Sequence, residues 1–171
     1  MSILSAATVA AIISGLFLLY SKRVEFANIY FKLVIDKRLE AYVEVEHLIS
    51  QIKVAVHDDS DDRLYHLLFS QDDDYLAVYQ LLMSVMSKSM WLSDALFDKT
   101  RELNLLIFRE GKRTPSGGLI QFGKSNYIAI GKLRTEIERI FANDLSRLHN
   151  VSAFLRRKKP KDTYVPLSPS K

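Results

Sequence analysis

"QDDDYLAVYQLLMSVMSKSMWLSDALFDKTRELNLLIFREG", residues 71–111, decides how many times this chain reverses direction. Leu76, Tyr79, Met83, Met86, Met90, Ala95, Phe97, Leu103, Leu106 and Ile107 recur along it, and neither Pro nor Gly occurs between residues 16 and 110. Apolar side chains spaced by three and four mark one face of a helix. The stretch therefore predicts one long helix, capped by "QDDD" and stopped at Gly111. Met83, Met86, Met90 and Trp91 are read as core.

Upstream, Val24, Asn28, Phe31, Ile35, Leu39, Tyr42, Val45, Ile49, Ile52 and Val56 carry the same period. This helix is expected to end at "HDDSDD" (57–62), where Asp and Ser favour caps and turns. Residues 62–70 predict a short helix. "KRTPSGGLIQFGKS" (112–125) reads as loop, and a last helix is expected from about Asn126 to Arg157. Only "LLIF" (105–108) is ambiguous as a strand. The fold class is all-α: an N-terminal transmembrane helix continuing into an antiparallel bundle of three long helices plus one short helix. Up-down-up topology would put loop 111–125 beside the membrane, with the Asp-rich turn and the basic tail roughly 50 Å away.

The membrane enters through "MSILSAATVAAIISGLFLLY" (1–20), which holds no charged side chain and precedes Lys22 and Arg23. About 20 apolar residues span a bilayer. Positive charge after the run, rather than before it, argues against a signal peptide and places the following domain on the cytoplasmic side. Three segments result: an anchor (1–21), a cytoplasmic helical bundle (22–157) and a basic, Pro-containing disordered tail (158–171). The net charge of +4 resides in residues 156–171, where Arg156, Arg157, Lys158, Lys159, Lys161 and Lys171 oppose Asp162 alone. The absence of Cys excludes disulfides, Cys-ligated zinc and thiol nucleophiles.

Gly118–Ser125 matches the pattern of a phosphate-binding loop. Such a loop follows a β-strand and needs small residues in its middle, whereas Leu119, Ile120 and Phe122 are bulky and the preceding segment is helical. Nucleotide binding is not expected. Leu119, Ile120 and Phe122, framed by Lys112, Arg113 and Lys124, suit insertion at an anionic membrane interface; alternatively they fold back to plug the bundle.

Asp58, Asp59, Asp61 and Asp62 form an acidic turn. Read as a calcium loop, it has Arg63 where Gly belongs and Phe69 where Glu belongs. Helix capping is one role for these carboxylates, and a basic partner is the other. Arg156, Arg157, Lys158 and Lys159 are the complementary cluster, so a tail-to-turn contact that a partner displaces is expected. His47 and His57 lie too close in sequence to supply the converging ligands of a helical metal-dependent hydrolase. No catalytic, cofactor-binding or metal-binding residue is assigned, and nucleic acid is not an expected partner.

"DKRLEAYVEVEHLI" (36–49) and "LRTEIERIFANDLSRL" (133–148), behind an N-terminal span, resemble uncharacterised bacterial single-span membrane proteins with a cytoplasmic helical domain. The shared features are a Lys-Arg-Leu-Glu-x-Tyr stretch after the anchor and an Asp-Leu pair near the end of the final helix. The resemblance implies that architecture in a bacterial inner membrane, with the N-terminus outside, and carries no activity. The expected function is a membrane-anchored interaction or scaffold protein that contacts the lipid bilayer and a protein partner or a second copy of itself. The alternatives are a nucleotide- or metal-dependent hydrolase and a small membrane-perturbing effector.

Overall fold

The computed structural model describes the backbone of residues 2–111 and 118–158 and the side chains of residues 8–108 and 118–158. The chain divides into two units, residues 1–36 and 37–171. Helix α1, Ser2–Lys53, contributes to both. In the first unit its apolar side chains face outward on every side: Leu16, Phe17, Leu18, Leu19 and Tyr20 are each 60–69% exposed. Among the described residues, no helix is long and apolar enough to cross a membrane. The apolar run begins ahead of residue 8, so the expected anchor lies only partly within the described side chains.

The second unit is mostly helical, with one small sheet. Its elements after α1 are β1 (Ala55–Asp58), β2 (Arg63–His66), a 3-10 turn (Leu67–Phe69), α2 (Asp72–Ser87), α3 (Asp94–Gly111), α4 (Leu119–Ser146) and α5 (Val151–Arg157). Ala41, Tyr42, Val45, Leu48, Ile49 and Ile52 of α1 are buried at the helical period, against Val78, Leu82 and Val85 of α2, Leu96, Leu103 and Ile107 of α3, and Ile130 and Ile137 of α4 as fellow core residues.

Polar contacts give the direction of each helix. Lys88, just after α2, pairs with Glu44 of α1 (2.6 Å). Tyr75, early in α2, donates to the Ile107 carbonyl late in α3 (3.3 Å). Asp144, late in α4, accepts from Tyr42, early in this part of α1 (2.9 Å). The order is thus up-down-up-down. This corrects the three-helix expectation, because the stretch 71–111 is two helices. Ser93 caps α3, its Oγ accepting from the Leu96 N–H (3.1 Å). Within the connection, the Trp91 N–H turns back onto the Lys88 carbonyl (2.9 Å). A Ser-Asp pair supplies this cap without Gly or Pro.

Residues 63–66 are strand, not helix: β1 and β2 pair antiparallel in the register Val56↔Tyr65 and His57↔Leu64. The hairpin turns through Asp62, whose φ of 56° is a left-handed conformation that Asp tolerates. "QDDD" places Asp72, Asp73 and Asp74 in the first turn of α2, where they face the positive helix end, while the cap residue Gln71 makes no side-chain bond. The last helix begins at Leu119 and breaks after Ser146, where Asn150 caps α5 through the Ala153 N–H (3.1 Å).

Gly123 sits inside α4 against the buried Phe69 ring, which meets Phe122 edge-on at 5.1 Å. A Cβ on Gly123 would lie 2.7 Å from Phe69 Cδ2 and 2.9 Å from Phe69 Cβ. Gly→Ala in a helix interior ordinarily gains up to about 1 kcal/mol. Here overpacking should reverse the sign: Gly123→Ala is expected to lower unfolding free energy by about 1–3 kcal/mol in urea titrations. A stability gain would contradict the packing.

Candidate functional site

The two ends of the second unit carry different chemistry. At one end Lys124 Nζ donates to Asp58 Oδ2 (2.6 Å) and Asp61 Oδ1 (2.8 Å). Bonds from Lys124 and from Ser60 hold the Asp58 carboxyl well below its ordinary range, and the two carboxylates raise Lys124 in turn. His57 bridges the remaining acids, Nδ1 to Asp59 (3.2 Å) and Nε2 to Asp62 (2.8 Å), and both raise its pKa. Each of the four aspartates in the turn thus has a partner in Lys124 or His57, although carboxylates outnumber cations two to one. Among the described residues, no group of three or more His, Asp or Glu side chains is placed to hold a metal ion.

This overturns the expected separation of loop and turn. Four helices instead of three bring residues 118–125 to the acidic end, so Lys124 is a cationic partner of the turn, while Arg156, Arg157 and Lys158 lie at the other end. Gly118–Ser125 is a cap and a helix start, and its lysine is held by two aspartates. Phe122 is buried, and Leu119 and Ile120 are half-buried. Lys112, Arg113 and Lys159 lie outside the described residues. Arg156 is exposed and donates to its own helix at Ser152.

The opposite end holds a cleft of about 680 Å³, formed by Arg38 of α1, the Ser93–Ala95 start of α3, one face of α4, and α5. Asp144 is its anchor, accepting from both Tyr42 and Ser93. Burial, and secondarily the Asp144 charge, pushes the Tyr42 phenol up to about 12, so it stays a donor. Lys158 straps the end of α5 to the α2–α3 connection through the Ser89 carbonyl (2.6 Å), the Leu92 carbonyl (2.8 Å) and Asp94 (3.2 Å). Arg38 is 3% exposed. Its NH1 donates to the Leu148 carbonyl (3.0 Å) and its guanidinium lies 4.0 Å from the Phe154 ring centre. Arg157, one of the expected partner-binding residues, lines this cleft with Lys158, far along α4 from the acidic turn.

Arg38, Tyr42 and Asp144 were named from sequence only as parts of the shared motifs or of the core face and given no site role, and Ser93, Arg139 and Arg147 were passed over. The available signals were the Ser93-Asp94 cap and a charge at residue 38 on the face that also carries Ala41, Tyr42 and Val45. No family model matches the chain, and neither a curated protein nor a solved structure matches it.

The titrations at the acidic end have opposite signs. A raised His57 pKa contributes stability present below about 6.5 and lost as pH rises through the folded value, whereas a depressed Asp58 contributes stability lost as pH falls below about 3.8. The hairpin tip should hold most firmly between roughly pH 4 and 6.5. NMR titration is expected to place His57 above 6.5, and Asp59→Asn with Asp62→Asn to return it to about 6.5. An unshifted His57 in the parent chain would contradict the bridge.

Proposed function

We propose that the protein is a membrane-anchored helical interaction protein, with the apolar start of α1 in the bilayer and the second unit as its cytoplasmic binding domain. The observation that carries this reading is the all-round exposure of apolar side chains in the first unit. Consecutive helical residues point about 100° apart, so Leu16 to Tyr20 cover the whole circumference. A protein partner covers a stripe; lipid covers every face. The uncharged run continues through residues 1–7 in the sequence, which lengthens it to the 20 residues a span requires. Lys22 and Arg23 then support a cytoplasmic second unit, since positive flanks stay inside. The pairing of a single span with the "DKRLEAY" and "NDLSRL" stretches supports the proposed likeness to bacterial single-span proteins.

Carbonate extraction of membranes carrying the full chain tests the anchor. The wild type should stay in the pellet. Ala10→Lys with Ile13→Lys should leave it, because a lysine at the centre of a span costs about 2.5–3.5 kcal/mol. A thiol introduced at the exposed Ser152 should react only with reagent on the cytoplasmic side. Wild-type protein recovered folded in the supernatant would overturn the reading.

A further inference from the structure

We propose that the cleft between α1, the start of α3, α4 and α5 binds a phosphomonoester, either a free small molecule or a lipid headgroup. Every residue of the cleft lies in the second unit, so the inference stands apart from the anchor. It starts from Arg38. A guanidinium that is 3% exposed is a buried charge, and buried charges ordinarily have a countercharge. Among the described residues Arg38 forms no ion pair, and its Nε is buried with no acceptor. The Leu148 carbonyl and the Tyr42 and Phe154 rings surround the cation without neutralising it.

The adjoining wall has the same imbalance. Arg139 and Asn143 of α4 and its C-cap residue Arg147 recur every four residues and line the same wall. Arg157 joins them from α5. Arg147 and Arg157 pair with no carboxylate among the described residues, and Arg139 feels only the Glu136 charge one turn back on α4; Lys158 pairs with Asp94, and Asp144 is held by the neutral donors Tyr42 and Ser93. The lining counts five cations against two carboxylates.

The ligand class follows from that chemistry. Arginine forks match the planar oxygen pairs of phosphate and carboxylate, and a phosphomonoester brings a charge near −2 with three acceptor oxygens, closer to the unmatched cations than one carboxylate is. A volume of about 680 Å³ is in the range of small-molecule pockets. The cations converge on a concave cleft that also holds two acids, which disfavours a nucleic-acid backbone, for which a basic stripe is the expected footprint.

The test uses the full chain in phosphatidylcholine nanodiscs. Inorganic phosphate is titrated against chloride at matched ionic strength while Tm is followed, and a second series replaces free phosphate with phosphatidic acid in the disc. Binding to the folded state raises Tm with ligand concentration. The wild type should show a saturable rise. Arg139→Ala, Arg147→Ala and Arg157→Ala, all at exposed positions, should each weaken it at least about tenfold without lowering the ligand-free Tm. Arg38→Lys, which keeps the charge but loses the fork, should weaken it as well. A rise with free phosphate assigns a soluble ligand, and a rise only with phosphatidic acid assigns a headgroup. No rise in either series, or an equal rise in the three alanine variants, overturns the proposal.

Discussion

One carboxylate, Asp144, holds the second unit in its topology. It accepts from the Tyr42 hydroxyl on α1 and from the Ser93 hydroxyl at the head of α3, tying three separate stretches of chain at one point. Ser93 is used twice, since its oxygen also receives the Leu96 N–H that begins α3. The side chain that ends the α2–α3 connection is thus the one that docks it. A tyrosine kept protonated by burial and a capping serine are both neutral donors to a half-buried carboxylate, an arrangement that satisfies Asp144 without placing a cation against it. Lys158 adds a strap over the same connection by binding two of its carbonyls.

The parity this sets determines the chemistry of each end. Four helices return α4 to the Arg38 end, so α5 and the cationic stretch 156–158 gather there, while Lys124 is left beside the acidic turn. At the acidic end every aspartate of the turn has a partner: a lysine serves two and a histidine the other two. At the other end the arginines outnumber the acids, and one of them is buried. Charge left unmatched at a concave surface is the property by which a binding domain recognises an anion, whereas an ion-pair knot mainly holds a hairpin in place.

Sequence reasoning recovered what periodicity encodes. Helical spacing placed Tyr42, Val45, Ile49 and Ile52 on the buried face of α1, and Ile130 and Ile137 on that of α4. It misjudged the rest of the α1 face, because Arg38 is buried there while Leu39 is 43% exposed; an apolar count passes over a buried arginine. The α2–α3 break was hidden because its signal is a lone Ser-Asp cap within a stretch free of Gly and Pro. The strands are four residues each, too short for an alternating pattern to emerge, and their tight turn uses Asp62 where Gly would have announced it. The Lys124–Asp58 pair spans 66 positions, and no local rule reaches it. The cleft was invisible for the same reason, since its walls come from four separate segments.

The helix count is therefore the central claim, and a pair of distances tests it. The chain has no native Cys, so spin labels report only from thiols introduced by substitution. One labelled pair, at Asp59 and Ser125, should be close, because Lys124 touches the acidic turn. A second pair, at Asp59 and Ser152, should be farther apart by a distance on the order of 30 Å, the length of α4 between those ends. Double electron–electron resonance measures both in the same preparation. The reverse order, with Ser152 near the acidic turn and Ser125 remote, is what a three-helix bundle requires and would contradict the account.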